Sequence, residues 1–403
     1  MKVSTVLYQE LQLCSTSIHN TRLHTLCKFV ESSLTDQRVS VTYLGRGLKN
    51  LSKTTKKHDI KRADRLIGNH HLHFDRHAIY EYMAEKLIRK NKNPIILIDW
   101  SPINGSEIFQ LLRASIPMQG RSQVIYEKVF KVSALNSDSA HSAFLDELES
   151  VLPVGCQPII VADAGYRGPW FKAIEAKNGY WVNRVRGRVS LSQDKENWQS
   201  SSQWFKQANI GKTKTLGKVY YSKTNKLECQ GVLFKRRKKG RFVKKMRGGA
   251  SNRTIDKIHQ KDANEPWLLV YRLPENVLNQ PEIAVSMYNL RMQIEENFRD
   301  TKNGKLGMSL EYANSKSVMR FDNLLLIAAL ALFLLWCIGT IARIKGMQRS
   351  LQANTVKNRA VLSIIYLARE VVTDDRYRIT IDEFEYMISD MSKIPVAASD
   401  LKG

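Results

Sequence analysis

The sequence predicts an α/β protein built on a mixed sheet. Three observations carry that expectation. Two short apolar runs, PIILIDWSPI and QPIIVADAG, each lead into an aspartate. Amphipathic helical segments lie between and after them. A basic, helical stretch precedes the first run. The chain has 403 residues, 43% of them hydrophobic, which suits two or three domains with a real core rather than a disordered chain.

Residues 1 to 90 read as short basic helices. HNTRLHTLCKFVESSL has helical periodicity, and breaks at Gly45, Gly47 and Gly68 suggest a helix-turn-helix-like bundle. Lys53, Lys56, Lys57, Lys61, Arg62 and Arg65 make a dense basic patch there. A solvated helix face is the plain reading of such a patch; its density and the charge of the whole chain favour a face that contacts DNA.

From Pro94 the character changes. PIILIDWSPI, FQLLRASIP and QVIYEKVFKV read as strands, and SAHSAFLDELESVL as an amphipathic helix. QPIIVADAG is a strand, GPWFKAIEAKNG a helix stopped by Gly179, and YWVNRVRG a further strand. The order is β-β-β-α-β-α-β. Between residues 188 and 265 the pattern dissolves into short strand-like pieces, KVYYSKT and CQGVLFK, and a run from Lys235 to Arg247 in which nine of thirteen residues are basic. This stretch reads as an inserted, mostly-β subdomain with a basic loop; a targeting signal is the alternative for such a run, with nothing else to support it. WLLVYRLP resumes strand character, the helix containing YNLRMQIEENFRDTK follows, and residues 345–403 read as a small helical C-terminal domain. The expected domains are therefore 1–90, a core formed by 91–187 with 266–344, the insertion 188–265, and 345–403.

Sixty-three Lys and Arg against thirty-eight Asp and Glu leave a net charge of +25. Such an excess calls for a polyanionic partner. Nucleic acid is favoured over an anionic membrane because the basic residues are spread along the chain. The five cysteines are odd in number and far apart, with no C-x-x-C, so neither a disulfide framework nor a zinc site follows, and a reduced cytosol fits. The first residues, MKVSTVLYQELQLCS, lack the apolar core of a signal peptide. Leu324 to Ala342 has Thr340 as its only polar side chain. It meets the length of a membrane span, yet the central helix of a large core reads the same way.

The candidate chemistry lies in three acids. Asp99 in ILIDWS and Asp163 in IVADAG end strand-like runs, where each alone would be a turn former. On an ideal helix, Tyr288, Arg291, Glu295 and Lys302 fall within an arc of about 60°. Ile283, Met287, Leu290, Ile294 and Phe298 form the buried stripe beside them, and Glu296 points elsewhere, so Glu295 is the candidate of the two adjacent glutamates. Three carboxylates from two strands and a helix suit two Mg²⁺ or Mn²⁺ ions acting on a phosphodiester. His70, His71, His73 and His77 have no cysteine partners and read as part of a basic DNA-binding face. Ser101 lacks the setting of a hydrolase nucleophile.

These residues resemble the DDE transposases of bacterial insertion sequences whose signature is Tyr-x2-Arg-x3-Glu-x6-Lys, here Tyr288, Arg291, Glu295 and Lys302, with Asp99 and Asp163 matching the strand motifs. The likeness spans nearly the whole chain, including RADRLIGNHHLH and QANTVKNR, and is closest to the cut-and-paste, hairpin-forming members. It implies a ribonuclease H-like catalytic core with a β insertion before the glutamate helix, and it makes the apolar helix a buried element. It implies that Asp99, Asp163 and Glu295 hold two Mg²⁺ or Mn²⁺ ions, that Tyr288, Arg291 and Lys302 contact DNA phosphates, and that Trp267 stacks on a flipped base, with a packed core tryptophan as the alternative. The expected partners are double-stranded DNA, as terminal inverted repeats and target, and a second copy of the chain in a homodimeric synapse. No membrane and no nucleotide cofactor are expected, and the expected location is cytoplasmic. The alternatives are a nuclease of the same core that cuts without joining, and a membrane-associated basic protein.

Overall fold

A computed structural model describes residues 3–14, 17–48, 51–187, 189–237, 265–353, 355–356 and 359–389. The chain forms two compact units, one of Met1–Cys156 with Met292–Gly403 and one of Gln157–Arg291.

The first unit begins with helices α1 (Val3–Cys14), α2 (Asn20–Asp36), α3 (Val41–Arg46), α4 (Lys56–Ile67) and α5 (His70–Ile88). Asn69 starts α5 by accepting hydrogen bonds from the amides of His71 and Leu72. Three strands follow, β1 (Ile95–Pro102), β2 (Phe109–Pro117) and β3 (Ser122–Lys131), paired antiparallel in the order β3-β2-β1. Helix α6 (Asp138–Val151) is started by Ser137, whose hydroxyl accepts from the amide of Ala140.

After the second unit the chain returns as α10 (Met292–Lys302), α11 (Val318–Ile344), α12 (Gln348–Leu351), α13 (Ile364–Thr373) and α14 (Ile381–Ser389). Every residue of α11 from Phe321 to Ala342 is buried. Helices α2, α5, α13 and α14 and strand β3 enclose it. By length and composition α11 passes as a membrane span, but its apolar surface is covered by protein on all sides. Most of its polar side chains find a partner, although the Asn323 side-chain oxygen and the Trp336 indole nitrogen find none among the described residues. Asp322 accepts from the amide of Val129 at 2.9 Å and meets Arg76 at 3.2 Å, while Asn323 donates to the Ile67 carbonyl and Thr340 to the Trp336 carbonyl. Enclosing α11 uses both terminal helical segments, so neither the expected domain 1–90 nor 345–403 stands apart; both belong to the first unit.

The second unit holds β4 (Ile159–Ala162), α7 (Gly168–Ala176) and β5 (Tyr180–Val185), then β6 (Ser190–Ser192), β7 (Gln199–Ser200), α8 (Ser201–Phe205), β8 (Thr213–Tyr221), β9 (Leu227–Phe234), β10 (Trp267–Arg272) and α9 (Gln280–Leu290). Strand β4 pairs parallel to β5, and the order across the unit is β4-β5-β10-β9-β8-β6-β7. The β-β-β-α-β-α-β order expected from Pro94 onward is observed. The insertion differs from a separate subdomain. Strand β10 pairs antiparallel with β5 on one edge and β9 on the other, so the inserted strands continue the sheet. Positions in these strands, Val232 and Leu233 among them, are fully buried. Of the basic run 235–247, Lys235, Arg236 and Arg237 are described; the rest lies outside the described residues, as do residues 354, 357 and 358 of QANTVKNR.

Gly339 marks a close approach between α11 and α13. A Cβ there would stand 2.1 Å from the carbonyl oxygen of Ile364 at the start of α13. Alanine normally stabilises a helix interior, but backbone cannot yield to a contact this short. We predict that Gly339→Ala lowers stability by about 2 kcal/mol in denaturant unfolding; an unchanged midpoint would contradict the packing of α13 on α11.

Candidate active site

In the first unit, Asp99 sits in β1 behind four buried residues, Ile95 to Ile98, and is itself half-buried. The strand does not stop at this aspartate as expected but runs on to Pro102. It stands directly opposite Arg113 of β2. One carboxylate oxygen accepts from the amide of Trp100 at 2.9 Å. At the far end of α10, Lys302 donates to the Ser101 hydroxyl at 2.5 Å and to the Pro102 carbonyl at 2.9 Å. The glutamate helix is thereby fastened to the strand that carries Asp99. Burial, and then the nearby Arg113 guanidinium, pull the Lys302 ammonium down to about 8, against the opposing pull of Glu311 and Asp99.

Glu295 lies exposed in the first turn of α10, where the helix dipole favours a carboxylate. Its neighbour Glu296 is engaged by Arg121 at 3.4 Å and by Arg299. The expected single helix is two: α9 ends at Leu290 and α10 begins at Met292. Arg291 between them keeps helical angles (φ −52, ψ −31), but its amide bonds three residues back, to the Tyr288 carbonyl.

In the second unit, Asp163 follows the last residue of β4 and is half-buried. The Tyr288 hydroxyl donates to one of its oxygens at 2.8 Å, and the Arg291 guanidinium faces the other at 3.6 Å. Burial alone would raise the Asp163 carboxyl; Arg291, Arg184 and the Tyr288 hydrogen bond outweigh it and hold it below the usual carboxylate range. Asp163 is therefore ionised at neutral pH. Burial and the Asp163 charge push the Tyr288 phenol far up, so it stays a donor.

Tyr288 and Arg291, expected as phosphate contacts, are here 3% and 8% exposed and turned onto Asp163. The physical reason is that a carboxylate at a strand end, partly out of water, needs opposite charge and a donor. Trp267 opens β10 with its ring half-exposed, edge-on to Tyr288 at 4.8 Å, and the Arg236 guanidinium lies over its face at 4.2 Å.

The basic patch forms a face of its own. Lys53, Lys56, Lys57, Lys61 and Arg65 are exposed, and Ala63, Leu66 and Ile67 are turned inward. Arg62 differs: it is half-buried and donates to Thr25. Among the histidines, His77 bonds Ser150, and burial pulls His73 down to about 4 beside Arg76. Among the described residues no three His, Cys, Asp or Glu side chains are gathered to hold a metal.

A family model described as Transposase DDE domain matches residues 90–334. The chain belongs to that family. The matched span of the transposase contains Asp99, Asp163, Trp267, Tyr288, Arg291, Glu295 and Lys302, and begins after the basic face of α4. No curated protein matches the chain. Membership makes DNA the substrate, and DDE transposases generally use divalent metals. Sequence reasoning missed Arg184, Arg236 and the role of Ser101 as a lysine acceptor. Arg184 had a visible signal, a charge amid the apolar strand YWVNRV, and Arg236 lies in the basic run already noted.

Removing the phenolic oxygen at 288 takes one donor from a largely desolvated carboxylate. We predict that Tyr288→Phe raises the Asp163 pKa in a carboxyl carbon NMR titration and costs about 1 to 2 kcal/mol of stability. An unmoved Asp163 titration would show that the bond carries no weight.

Proposed function

We propose that this transposase binds the terminal inverted repeats of its own element, cuts them to expose 3′-OH ends, passes through a hairpin on the transposon end, and joins the ends to target DNA as a homodimer in the cytoplasm. The observation that carries the reading is the fastening of α10 to the Asp99 strand through Lys302, which ties the glutamate helix to the first carboxylate.

Asp99, Asp163 and Glu295 are assigned as the catalytic carboxylates and as ligands for two Mg²⁺ or Mn²⁺ ions. The donor chemistry fits. All three are hard oxygen ligands, and Asp163 is held ionised, the form a divalent cation takes. When bound there, the cations would supply Lewis-acid stabilisation of charge developing on the phosphodiester. In the DNA-bound enzyme Arg291 and the Tyr288 hydroxyl turn from Asp163 to phosphates of the transposon end, and Lys302 contacts the DNA backbone. The exposed lysines of α4, with Arg65, hold the repeat through its phosphates. Trp267 offers a stacking face to a flipped base once Arg236 lifts away.

Two experiments test the reading. Pre-cut DNA ends with exposed 3′-OH groups, taken from the sequences flanking the gene, should yield joined products with a supercoiled plasmid and Mg²⁺. Cutting without joining would assign a nuclease. Asp99→Asn, Asp163→Asn and Glu295→Gln should each abolish cleavage while DNA binding persists, and a normally active Glu295→Gln protein would refute the assignment.

A further test uses pH. Lys302 is charged below about 8 and loses its proton as pH rises through that value. Affinity for the flanking DNA should therefore fall between about pH 7 and 9. The fall should be smaller in Lys302→Arg, whose guanidinium stays charged; identical pH profiles would remove Lys302 from the DNA contact.

A further inference from the structure

Arg113 is a charged residue where the strand pattern calls for an apolar one. It lies in β2 with no exposed surface. Its Nε donates to Glu127 of β3 at 2.7 Å, and Glu127 is equally buried. The other arm of the fork reaches α10: Nη1 donates to Asn297 at 2.5 Å and to the Thr301 hydroxyl at 3.0 Å. Phe298, between those two, lies under the guanidinium at 4.9 Å. In the sheet register Arg113 stands opposite Asp99 on one side and Glu127 on the other. One side chain thus connects the strand position of the first carboxylate to the helix that carries Glu295 and Lys302.

We propose that Arg113 is a positioning residue that sets the roll and axial height of α10, and with them Glu295 and Lys302, against Asp99. The proposal rests on the reading of Asp99 and Glu295 as catalytic carboxylates.

A helix packed by apolar contacts alone has latitude in roll and slide, because such contacts are non-directional. Asn297 and Thr301 are one turn apart, so two hydrogen bonds from a single nitrogen fix both rotation and height. Slipping α10 would orphan buried donors of a charged group, which is costly. Neighbouring contacts agree with the clamp. Asn297 also donates to the Ser122 carbonyl, Gln293 accepts from the Met118 amide, and Arg121 pairs with Asp300 at 2.6 Å. Glu127 is held in turn by the Tyr80 hydroxyl of α5 at 3.2 Å, so the guanidinium cannot swing with its partner. Glu295 and Lys302 lie about a third of the helix circumference from the Arg113 face, so a roll of α10 swings both side chains around the helix axis.

The test uses the full-length chain and a DNA fragment carrying the gene's flanking sequences. Arg113→Lys keeps a positive charge beside Glu127 and loses the fork. Thr301→Val removes one anchor, and Thr301→Ser keeps it. Cleavage kcat should fall about tenfold or more in Arg113→Lys and Thr301→Val. KM for DNA should stay within about twofold, and Thr301→Ser should recover most of the rate. Losses confined to KM, or equal losses in Thr301→Val and Thr301→Ser, would reduce Arg113 to a stabilising role and overturn the proposal; so would wild-type kcat in folded Arg113→Lys and Thr301→Val. If Arg113→Lys fails to fold, the valine and serine pair decides. A Glu295→Gln protein that cleaves normally marks failure of the underlying reading instead.

Discussion

A helix with no polar side has to be covered on every side, and α11 imposes that condition on the first unit. Fully burying an aliphatic side chain is worth about 1.5 to 3 kcal/mol, and α11 buries them around its whole circumference. The cover comes from sequence-distant pieces, α2 and α5 ahead of the sheet, α13 and α14 at the other end of the chain, and β3 between them. This explains why segments that look like separate terminal domains are built into one unit. It also explains how a stretch with the composition of a membrane span is accommodated without one.

Within that apolar enclosure a few charged and polar groups link distant elements. Arg76 reaches Asp322 and the Glu127 carbonyl, Tyr80 and Arg113 reach the Glu127 side chain, and Arg113 goes on to Asn297 and Thr301. Buried ion pairs add little net stability, because desolvation offsets attraction. Their value here is direction: hydrogen bonds fix angles that apolar packing leaves loose. The second unit solves a related problem at Asp163, where Tyr288 and Arg291 keep a carboxylate ionised despite partial burial. The two candidate carboxylates on strands are therefore supported differently, Asp99 by its place in a pinned strand and Asp163 by a donor and a cation.

Much of this was legible in the sequence because the signals were local. Apolar runs of strand length marked β1 to β5, and helical spacing marked the candidate strip from Tyr288 to Lys302. What was not legible depended on partners far along the chain. Strands β8 and β9 read as an insertion, and only the pairing of β9 with β10 reveals that they extend the sheet. The hydrogen-bond shift at Arg291 divides one periodic segment into two helices, which the spacing of apolar residues does not show. Tyr288 and Arg291 were recognised as a polar row, but not that Asp163 would claim both. Arg113 carried a visible anomaly, a basic residue inside FQLLRASIP, whose meaning depends on Glu127, Asn297 and Thr301.

The central claim is that Asp99, Asp163 and Glu295 together hold the catalytic cations of this transposase. The most direct measurement is the anomalous scattering of Mn²⁺ in crystals of the protein bound to DNA from the gene's flanks. Our account predicts Mn²⁺ peaks at coordination distance, roughly 2.0 to 2.3 Å, from carboxylate oxygens of all three residues. Manganese bound elsewhere, or held without Glu295, would contradict it.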